Sequence, residues 1–238
     1  MIEPNPELQA TVEEAFVRHR IELPPETVAA FTRYLELIEH WNATTNLTAV
    51  RERGKAIERH LVEPCLARNN LDGAGPHIVD AGSGVGVPGI PLAILDPDRD
   101  YQLVEANTKR ATFLEEVKDS LGLDHVEVIH ARIEEAVEQE LLNLPVHILA
   151  SRGWTSGWGE LLGIMAPLMA PGGRAILWTG EQTERQLRRY LSRGEQAPLS
   201  SNPEWAAAAD AGWTLRRARP LRHLQGRGFI VSLEIPAR

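Results

Sequence analysis

From residue 77 onward, short apolar segments alternate with segments of helical periodicity, and this alternation constrains the fold more than any other feature. Strands joined by helices of this length pair in parallel through right-handed crossovers. The sequence therefore predicts an α/β fold with a doubly wound, mostly parallel sheet. A last alternating segment, residues 229–235, predicts an antiparallel strand at the sheet edge. The predicted strands lie at residues 77–80, 101–105, 125–129, 146–150 and 174–178, and the helices at 88–95, 108–121, 132–142 and 159–169.

The first 72 residues have a helical pattern without strands. Helices are predicted at residues 8–19, 25–42 and 55–66, and the second has one apolar face formed by Phe31, Tyr34, Leu35, Ile38 and Trp41. We expect a helical cap at residues 1–72 and a Rossmann-like domain at residues 73–238. We expect this small helical part to cap the α/β domain and not to form a separate unit.

The composition excludes several classes of protein. A single cysteine, Cys65, excludes an internal disulfide, and no apolar run approaches the roughly 20 residues that a membrane span needs. The first ten residues include Glu3 and Glu7 and no apolar core, so we expect them not to be a secretory signal. The histidines lack metal-ligand spacing. We therefore expect a cytoplasmic, monomeric protein with no metal and no membrane partner.

The net charge of −8 conceals a segregation of charge along the chain. Residues 184–238 contain ten arginines, no lysine and five acidic residues, a net charge of +5, which leaves −13 for residues 1–183. Arginine suits bidentate contact with phosphate. The flank is either a solvated surface or a surface that faces RNA, so the acidic total does not exclude a nucleic-acid partner.

A glycine-rich loop follows the first predicted strand. Its sequence is Asp-Ala-Gly-Ser-Gly-Val-Gly at residues 80–86, and residues 84–89 also satisfy the dinucleotide pattern G-x-G-x-x-G. Such glycines let a backbone approach a ligand at the carboxyl edge of the sheet. A nicotinamide dinucleotide, S-adenosylmethionine and a plain glycine turn are the alternatives, because the pattern alone is weak.

The residues around the loop favour S-adenosylmethionine. Asp80, close to the first glycine, would repel a pyrophosphate, and Pro88 and Pro91 lie where a phosphate-binding helix would begin. The sulfonium and amino groups of S-adenosylmethionine are cationic and suit an acidic loop. Glu105, at the end of the second strand, can accept both ribose hydroxyls.

Several separated blocks resemble one family. They are Trp41-Asn42, residues 46–50, Arg59-His60, residues 80–93, Lys109-Arg110, Phe113-Leu114, residues 131–135 and Ser151-Arg152. In order and spacing they are similar to RsmG, also called glucose-inhibited division protein B, whose members methylate guanine N7 in small-subunit ribosomal RNA. The resemblance covers roughly residues 25–180. It implies a class I S-adenosylmethionine-dependent methyltransferase fold, with ribosomal RNA or the small ribosomal subunit as partner.

The resemblance also implies roles for individual residues. Glu105 would hold the ribose, Ile133 and Glu134 would contact the adenine, and Arg152 would bind the cofactor carboxylate or reach guanine O6 and N7. No catalytic acid or base is assigned, because N7 carries a lone pair and no proton. The implied cofactor-binding residues are Asp80, Gly82, Gly84, Val87, Glu105, Ile133, Glu134 and Arg152.

Other residues near these blocks leave alternatives open. Trp154 and Trp158 are candidates to stack on an extruded base or are core residues, and His60 is a pocket residue or a packed helix residue. The chain departs from the family at Glu63-Pro64, Gly153 and Thr179, where the family has Asp-Ser, Ala and Lys. The alternatives are thus a methyltransferase acting on another RNA or a small molecule, and a non-catalytic module that binds cofactor or RNA.

Overall fold

A seven-stranded sheet forms the centre of the molecule. The computed structural model describes residues 5–154, 157–191, 208, 210–221 and 228–236. The strand order is β3-β2-β1-β4-β5-β7-β6; β1 to β5 run parallel, and β7 is antiparallel to both β5 and β6. The strands are β1 (His77–Ala81), β2 (Asp100–Val104), β3 (Val126–Ile129), β4 (Val146–Arg152), β5 (Met169–Gly180), β6 (Thr214–Leu221) and β7 (Gly228–Glu234).

Helices cover both faces of the sheet. Asn5 and Asn107 cap the first and sixth helices, because their side chains accept hydrogen bonds from backbone N–H groups of the first turn. A six-residue π-helical turn (Ile57–Val62) joins α3 to α4. The helices are α1 (Pro6–Arg18), α2 (Pro25–Thr45), α3 (Arg53–Ala56), α4 (Glu63–Cys65), α5 (Gly89–Leu95), α6 (Thr108–Leu121), α7 (Ile133–Glu138), α8 (Trp158–Met165) and α9 (Glu181–Leu191).

The predicted α/β fold and its antiparallel late strand are confirmed, but the predicted edge position of that strand is wrong. β7 lies between β5 and β6, and β6 forms the edge. β6 was not predicted, because an edge strand buries little of its surface and this one carries three arginines and a proline, which suppress a strand pattern. The helix predicted to reach residue 142 ends at Glu138, since Glu140 adopts a left-handed conformation.

The cap and the sheet share one hydrophobic cluster. Phe31 and Leu61 of the cap are buried in the same cluster as Ile176 of β5. The indole of Trp41 packs edge-on against Phe113 with ring centroids 5.7 Å apart. We propose that a boundary near residue 72 separates a cap and a Rossmann-like domain that unfold together.

Three side chains in one row across the sheet bind the helical segment at residues 59–66. Arg152 of β4 lies opposite Trp178 of β5 in the strand register. Trp178 lies opposite Ile230 of β7, which in turn lies opposite Arg219 of β6. The Arg152 guanidinium, the Trp178 indole N–H and the Arg219 guanidinium each donate to a carbonyl of that segment. The acceptors, in the same order, are the carbonyl oxygens of Arg59, Glu63 and Leu66. This row fixes the cap over the carboxyl ends of the central strands.

No helix within the described residues is both long enough and apolar enough to cross a membrane. The described ranges also contain no group of three or more His, Cys, Asp or Glu side chains that could hold a metal ion. Cys65 is a buried free thiol whose pKa is raised by burial.

The shared cluster predicts the effect of shortening Phe113. We expect Phe113→Ala to lower the free energy of unfolding by roughly 3–5 kcal/mol, because it leaves a cavity between α2 and α6. Urea unfolding followed by circular dichroism and by tryptophan fluorescence measures this loss. Both probes should report one shared transition, whereas separate transitions would contradict the proposal that cap and domain unfold together. Thr112→Ala, at an exposed position of α6, is the control and should have little effect.

Candidate functional site

The glycine loop between β1 and α5 presents bare backbone at the carboxyl edge of the sheet. Gly82, Gly84 and Gly86 have φ values of 69°, 62° and 91°, a region that favours glycine. A Cβ atom at Gly86 would lie 2.5 Å from Ile90 Cγ1. Glycine is therefore required there both by the turn and by the close packing of α5.

The cap and β2 hold this loop in place. The buried Tyr34 hydroxyl of α2 donates a hydrogen bond of 2.5 Å to the carbonyl oxygen of Val85. The Glu105 carboxylate accepts hydrogen bonds from the backbone N–H groups of Gly84, at 2.7 Å, and Asn107, at 2.8 Å. These two contacts bind the loop to a helix on one side and to a strand end on the other.

Two adjoining clefts open at this edge. The Glu105 cleft, of about 230 Å³, is lined by Gly82, Glu105, Ile133, Glu134, Arg152 and Trp154 among others. The His60 cleft, of about 530 Å³, lies between residues 46–50 of the cap and the glycine loop and is also lined by Arg59, His60, Val87 and Arg152. Gly82, Arg110, Arg152 and Gly153 line both clefts, which therefore meet at the loop.

The structure brings the residues predicted from sequence to this region. Five of them line the Glu105 cleft, namely Gly82, Glu105, Ile133, Glu134 and Arg152. Gly84 and Val87 line the His60 cleft. Asp80 lines neither cleft, and it supports the loop from the end of β1.

Asp80 is a buried carboxylate with one oxygen satisfied. Its side chain is 1% exposed, and Oδ2 accepts a hydrogen bond of 2.9 Å from the backbone N–H of Gly89. Oδ1 has no partner among the described residues. Burial raises the pKa of Asp80 to about 7, against the hydrogen bond from Gly89, which lowers it.

Arg152 forms a buried ion pair that the sequence did not reveal. Its Nη2 lies 2.8 Å from Glu63 Oε2, with side chains 16% and 7% exposed, and its Nη1 donates to the carbonyl oxygen of Arg59. Burial lowers the pKa of Arg152 and raises that of Glu63, and each charge opposes the shift of the other. The only sequence indication of this partner was an acid one helical turn after Arg59-His60.

His60 lies beside this pair on the π-helical turn. It is 5% exposed, and neither ring nitrogen has a hydrogen-bond partner within the described part of the chain. Burial, followed by the charges of Arg152 and Arg59, lowers the pKa of His60 to about 3. The imidazole is therefore neutral at physiological pH.

The two tryptophans near Arg152 have different environments. A Cβ atom at Gly82 would lie 3.2 Å from Cζ3 of Trp154, so the Trp154 indole lies against the glycine loop and lines the Glu105 cleft. Trp158 is buried in the hydrophobic cluster against which Trp154 also packs, and Trp158 lines neither of the two clefts. Of the two stacking candidates, Trp154 is thus the one at a cleft, and its stacking role stays a prediction.

Thr179 occupies the position at which the resembled family has lysine. It is buried, and its hydroxyl has no partner in the described ranges. Because side chains alternate along a strand, Thr179 points to the opposite face of the sheet from Trp178. A buried neutral hydroxyl therefore replaces the cation expected there.

The strand order and the cleft at the glycine loop define a class I methyltransferase fold. Similar solved structures include a precorrin-6y C5,15-methyltransferase from Geobacter metallireducens, with TM-score 0.53, 12% identity, and coverage of 71% of this chain and 86% of that chain. Another is TYW2 from M. jannaschii in complex with AdoMet, with TM-score 0.51, 17% identity, and coverage of 74% and 75%. At these identities the likeness shows the fold alone.

Sequence comparison identifies the family. A family model described as GidB, rRNA small subunit methyltransferase G, matches residues 27–195. Relatives named ribosomal RNA small subunit methyltransferase G are 33% identical over 171 residues in Chromobacterium violaceum and 38% identical over 154 residues in Laribacter hongkongensis. These matches cover 72% and 65% of this chain, and 79% and 71% of the relatives. The chain belongs to the rRNA small subunit methyltransferase G family.

Not every relative is matched over most of its length. The relative from Yersinia enterocolitica is 37% identical over 115 residues, which is 48% of this chain and 55% of the relative. The chain thus matches about half the length of that protein.

The raised pKa of Asp80 predicts a specific pH dependence of stability. Between its ordinary pKa of 3.8 and its folded pKa of about 7, the folded state keeps a proton that the unfolded state releases. The free energy of unfolding therefore falls by about 1.4 kcal/mol per pH unit across that range as pH rises. Asparagine does not titrate. We therefore expect the difference in the free energy of unfolding, Asp80→Asn minus wild type, to increase from pH 4 to 7 and then level off.

Urea denaturation of both proteins from pH 4 to 8.5 measures this difference. His60 is present in both proteins, so its own titration cancels in the subtraction. A difference that stays constant with pH would contradict the buried, protonated state of Asp80.

Proposed function

We propose that this protein transfers a methyl group from S-adenosylmethionine to N7 of a guanine in small-subunit ribosomal RNA. The observation that carries the proposal is the junction of the two clefts at Gly82 and Arg152. A cofactor in the Glu105 cleft and a base in the His60 cleft would meet there. Membership of the family supports the substrate, since the relatives are named as ribosomal RNA small subunit methyltransferases.

The residues of the Glu105 cleft suit the cofactor. Bound S-adenosylmethionine supplies an electrophilic methyl group on a sulfonium. The Glu105 oxygens accept hydrogen bonds from two backbone N–H groups and retain further lone pairs, which can accept from the ribose hydroxyls. Ile133 and Glu134 line the same cleft, where they would contact the adenine. The acidic charge of Glu105 suits a cationic ligand better than a pyrophosphate.

The reaction needs positioning more than proton transfer. Guanine N7 attacks with its own lone pair, so no general base has to remove a proton. Alignment of this kind can supply roughly 7–11 kcal/mol of the barrier. Arg152 is suited to hold the base or the cofactor, because Glu63 and the Arg59 carbonyl fix its guanidinium at the junction. The proposed transfer uses groups of one chain, without a metal or a second subunit, and its substrate implies a cytoplasmic location.

The arginine-rich flank adds support for an RNA partner. β6 presents Arg216, Arg217 and Arg219 as exposed residues on the outer strand of the sheet. Arg216 pairs with Glu234 at 2.6 Å, while Arg219 donates to the cap. Arg222 lies outside the described residues. An exposed row of this kind is compatible with phosphate contact that is independent of base sequence.

The proposed cofactor role of Glu105 predicts a loss of cofactor binding. We expect Glu105→Ala to raise the Kd for S-adenosylmethionine at least about tenfold, because the ribose loses its acceptor and the glycine loop loses an anchor. Isothermal titration calorimetry measures the Kd. Glu115→Ala, on the exposed face of α6, is the matched control and should leave the Kd unchanged. An unchanged Kd for Glu105→Ala would contradict the assignment of this cleft.

A methyl-transfer assay tests the proposed substrate. Purified protein with S-adenosylmethionine labelled in its methyl group is incubated with small-subunit ribosomal RNA and with small ribosomal subunits. Nucleoside analysis should detect N7-methylguanosine, and cleavage at that base should map it to one position. We expect Arg152→Lys to lower kcat/KM for RNA at least about tenfold, since lysine cannot reproduce the guanidinium fork. Transfer to another nucleoside or to no RNA would contradict the proposal.

A further inference from the structure

We propose that His60 is the residue that selects guanine in the His60 cleft, by accepting a hydrogen bond from the N1–H of the base. The inference rests on the proposed function, which it deepens by assigning base recognition to one side chain.

His60 lines the cleft in which a base would lie. His60 comes directly after Arg59 on the turn, and both residues line the cleft together with the glycine loop. On the far side of Gly82, the Glu105 cleft contains the proposed cofactor residues. A base beside His60 would therefore also lie beside the junction at which the methyl group would be transferred.

His60 has unused hydrogen-bonding capacity. The imidazole is almost completely buried, yet both nitrogens lack partners among the residues that the structure describes. Native proteins rarely leave buried polar atoms unsatisfied without a functional reason. A ligand that supplies a donor or an acceptor would remove this deficit.

Several polar side chains of the same cleft already have partners among the described residues. The hydroxyl of Ser83 donates to the carbonyl oxygen of Asp80 at 2.9 Å. Each terminal nitrogen of Arg152 has one partner, Glu63 or the Arg59 carbonyl, and keeps a second N–H for a ligand. Asn46 accepts a hydrogen bond from Arg51, and the Thr48 hydroxyl accepts one from the backbone N–H of Val50. His60 is thus a buried group of the cleft that remains available to read a base.

The charges around His60 determine what it can recognise. Burial, followed by the charges of Arg152 and Arg59, lowers the pKa of His60 and keeps the imidazole neutral, so one ring nitrogen carries a lone pair and the other an N–H. Guanidinium groups only donate, so they suit an acceptor such as guanine O6. Guanine presents O6 as an acceptor next to N1–H as a donor, whereas adenine presents an amino donor next to an N1 acceptor. The His60 lone pair beside the two guanidinium donors therefore matches N1–H and O6 of guanine and does not match adenine. These contacts leave guanine N7 free.

Substitution of both the residue and the base tests this inference. Wild-type protein and His60→Phe are assayed on RNA carrying guanosine or 2-aminopurine at the position mapped by the methyl-transfer assay. 2-Aminopurine keeps N7 but lacks O6 and has a lone pair at N1. We expect His60→Phe to lower kcat/KM on guanosine RNA at least about tenfold, equivalent to about 1.4 kcal/mol, and on 2-aminopurine RNA by less than about threefold.

Two further variants separate recognition from folding. His60→Gln keeps a hydrogen-bond acceptor and should restore at least about a third of the wild-type kcat/KM on guanosine RNA. His40→Phe makes the same change at an exposed position of α2 and should behave as wild type. The Kd for S-adenosylmethionine should be unchanged in His60→Phe and His60→Gln, because the proposed contact is with the base.

The outcomes distinguish the inference from the proposed function. Suppose that the wild-type protein transfers the methyl group. If His60→Phe then loses activity equally on both RNAs, or loses none, the role of His60 is overturned and the proposed function stays in place. Failure of His60→Gln to recover activity while it binds the cofactor normally would also overturn it. Absence of transfer by wild-type protein would overturn both.

Discussion

The buried ion pair between Arg152 and Glu63 is the interaction on which the site depends. A guanidinium at the end of a central strand can be buried only if an opposite charge and further hydrogen bonds compensate for its lost hydration. Glu63 and the carbonyl of Arg59 provide both, and they belong to the cap. The sheet and the cap are therefore joined by charge at the point where the two clefts meet. Removing one partner of such a pair typically costs about 3–5 kcal/mol, because the other charge stays buried.

The glycine loop forms a defined binding edge next to this ion pair. Its conformation needs positive φ values that other residues rarely adopt, and its flexibility is limited by the contacts of Val85 with Tyr34 and of Gly84 with Glu105. One of these contacts comes from the cap and the other from the residue after β2. The position of the loop therefore depends on how the cap packs against the sheet. The negative charge of Glu105 beside the loop favours a cationic ligand.

Much of the fold could be predicted from the sequence. β1 to β5 have apolar segments, since a parallel strand is covered on both faces, and these segments are recognisable without partners. β6 escaped prediction because an edge strand is half solvated, and because a register shift between Leu215 and Arg217 breaks the alternation of apolar and polar residues along it. The candidate site was predictable where residues follow strand ends, as for Glu105 and Arg152. Glu63 and the unpartnered state of His60 were not predictable, since both depend on how the cap is seated.

By itself, the sequence determined the order of the elements from β1 to β5, the glycine loop at the first strand end and the family blocks, because these depend on periodicity and backbone requirements of neighbouring residues. Only the tertiary structure decided that Glu63 neutralises Arg152, that Asp80 supports the loop and lines neither cleft, and that Trp154 rather than Trp158 lies at a cleft. These outcomes depend on burial and on contacts between residues far apart in the chain. The hydration that each polar group loses is set by the complete packing and not by its neighbours in sequence.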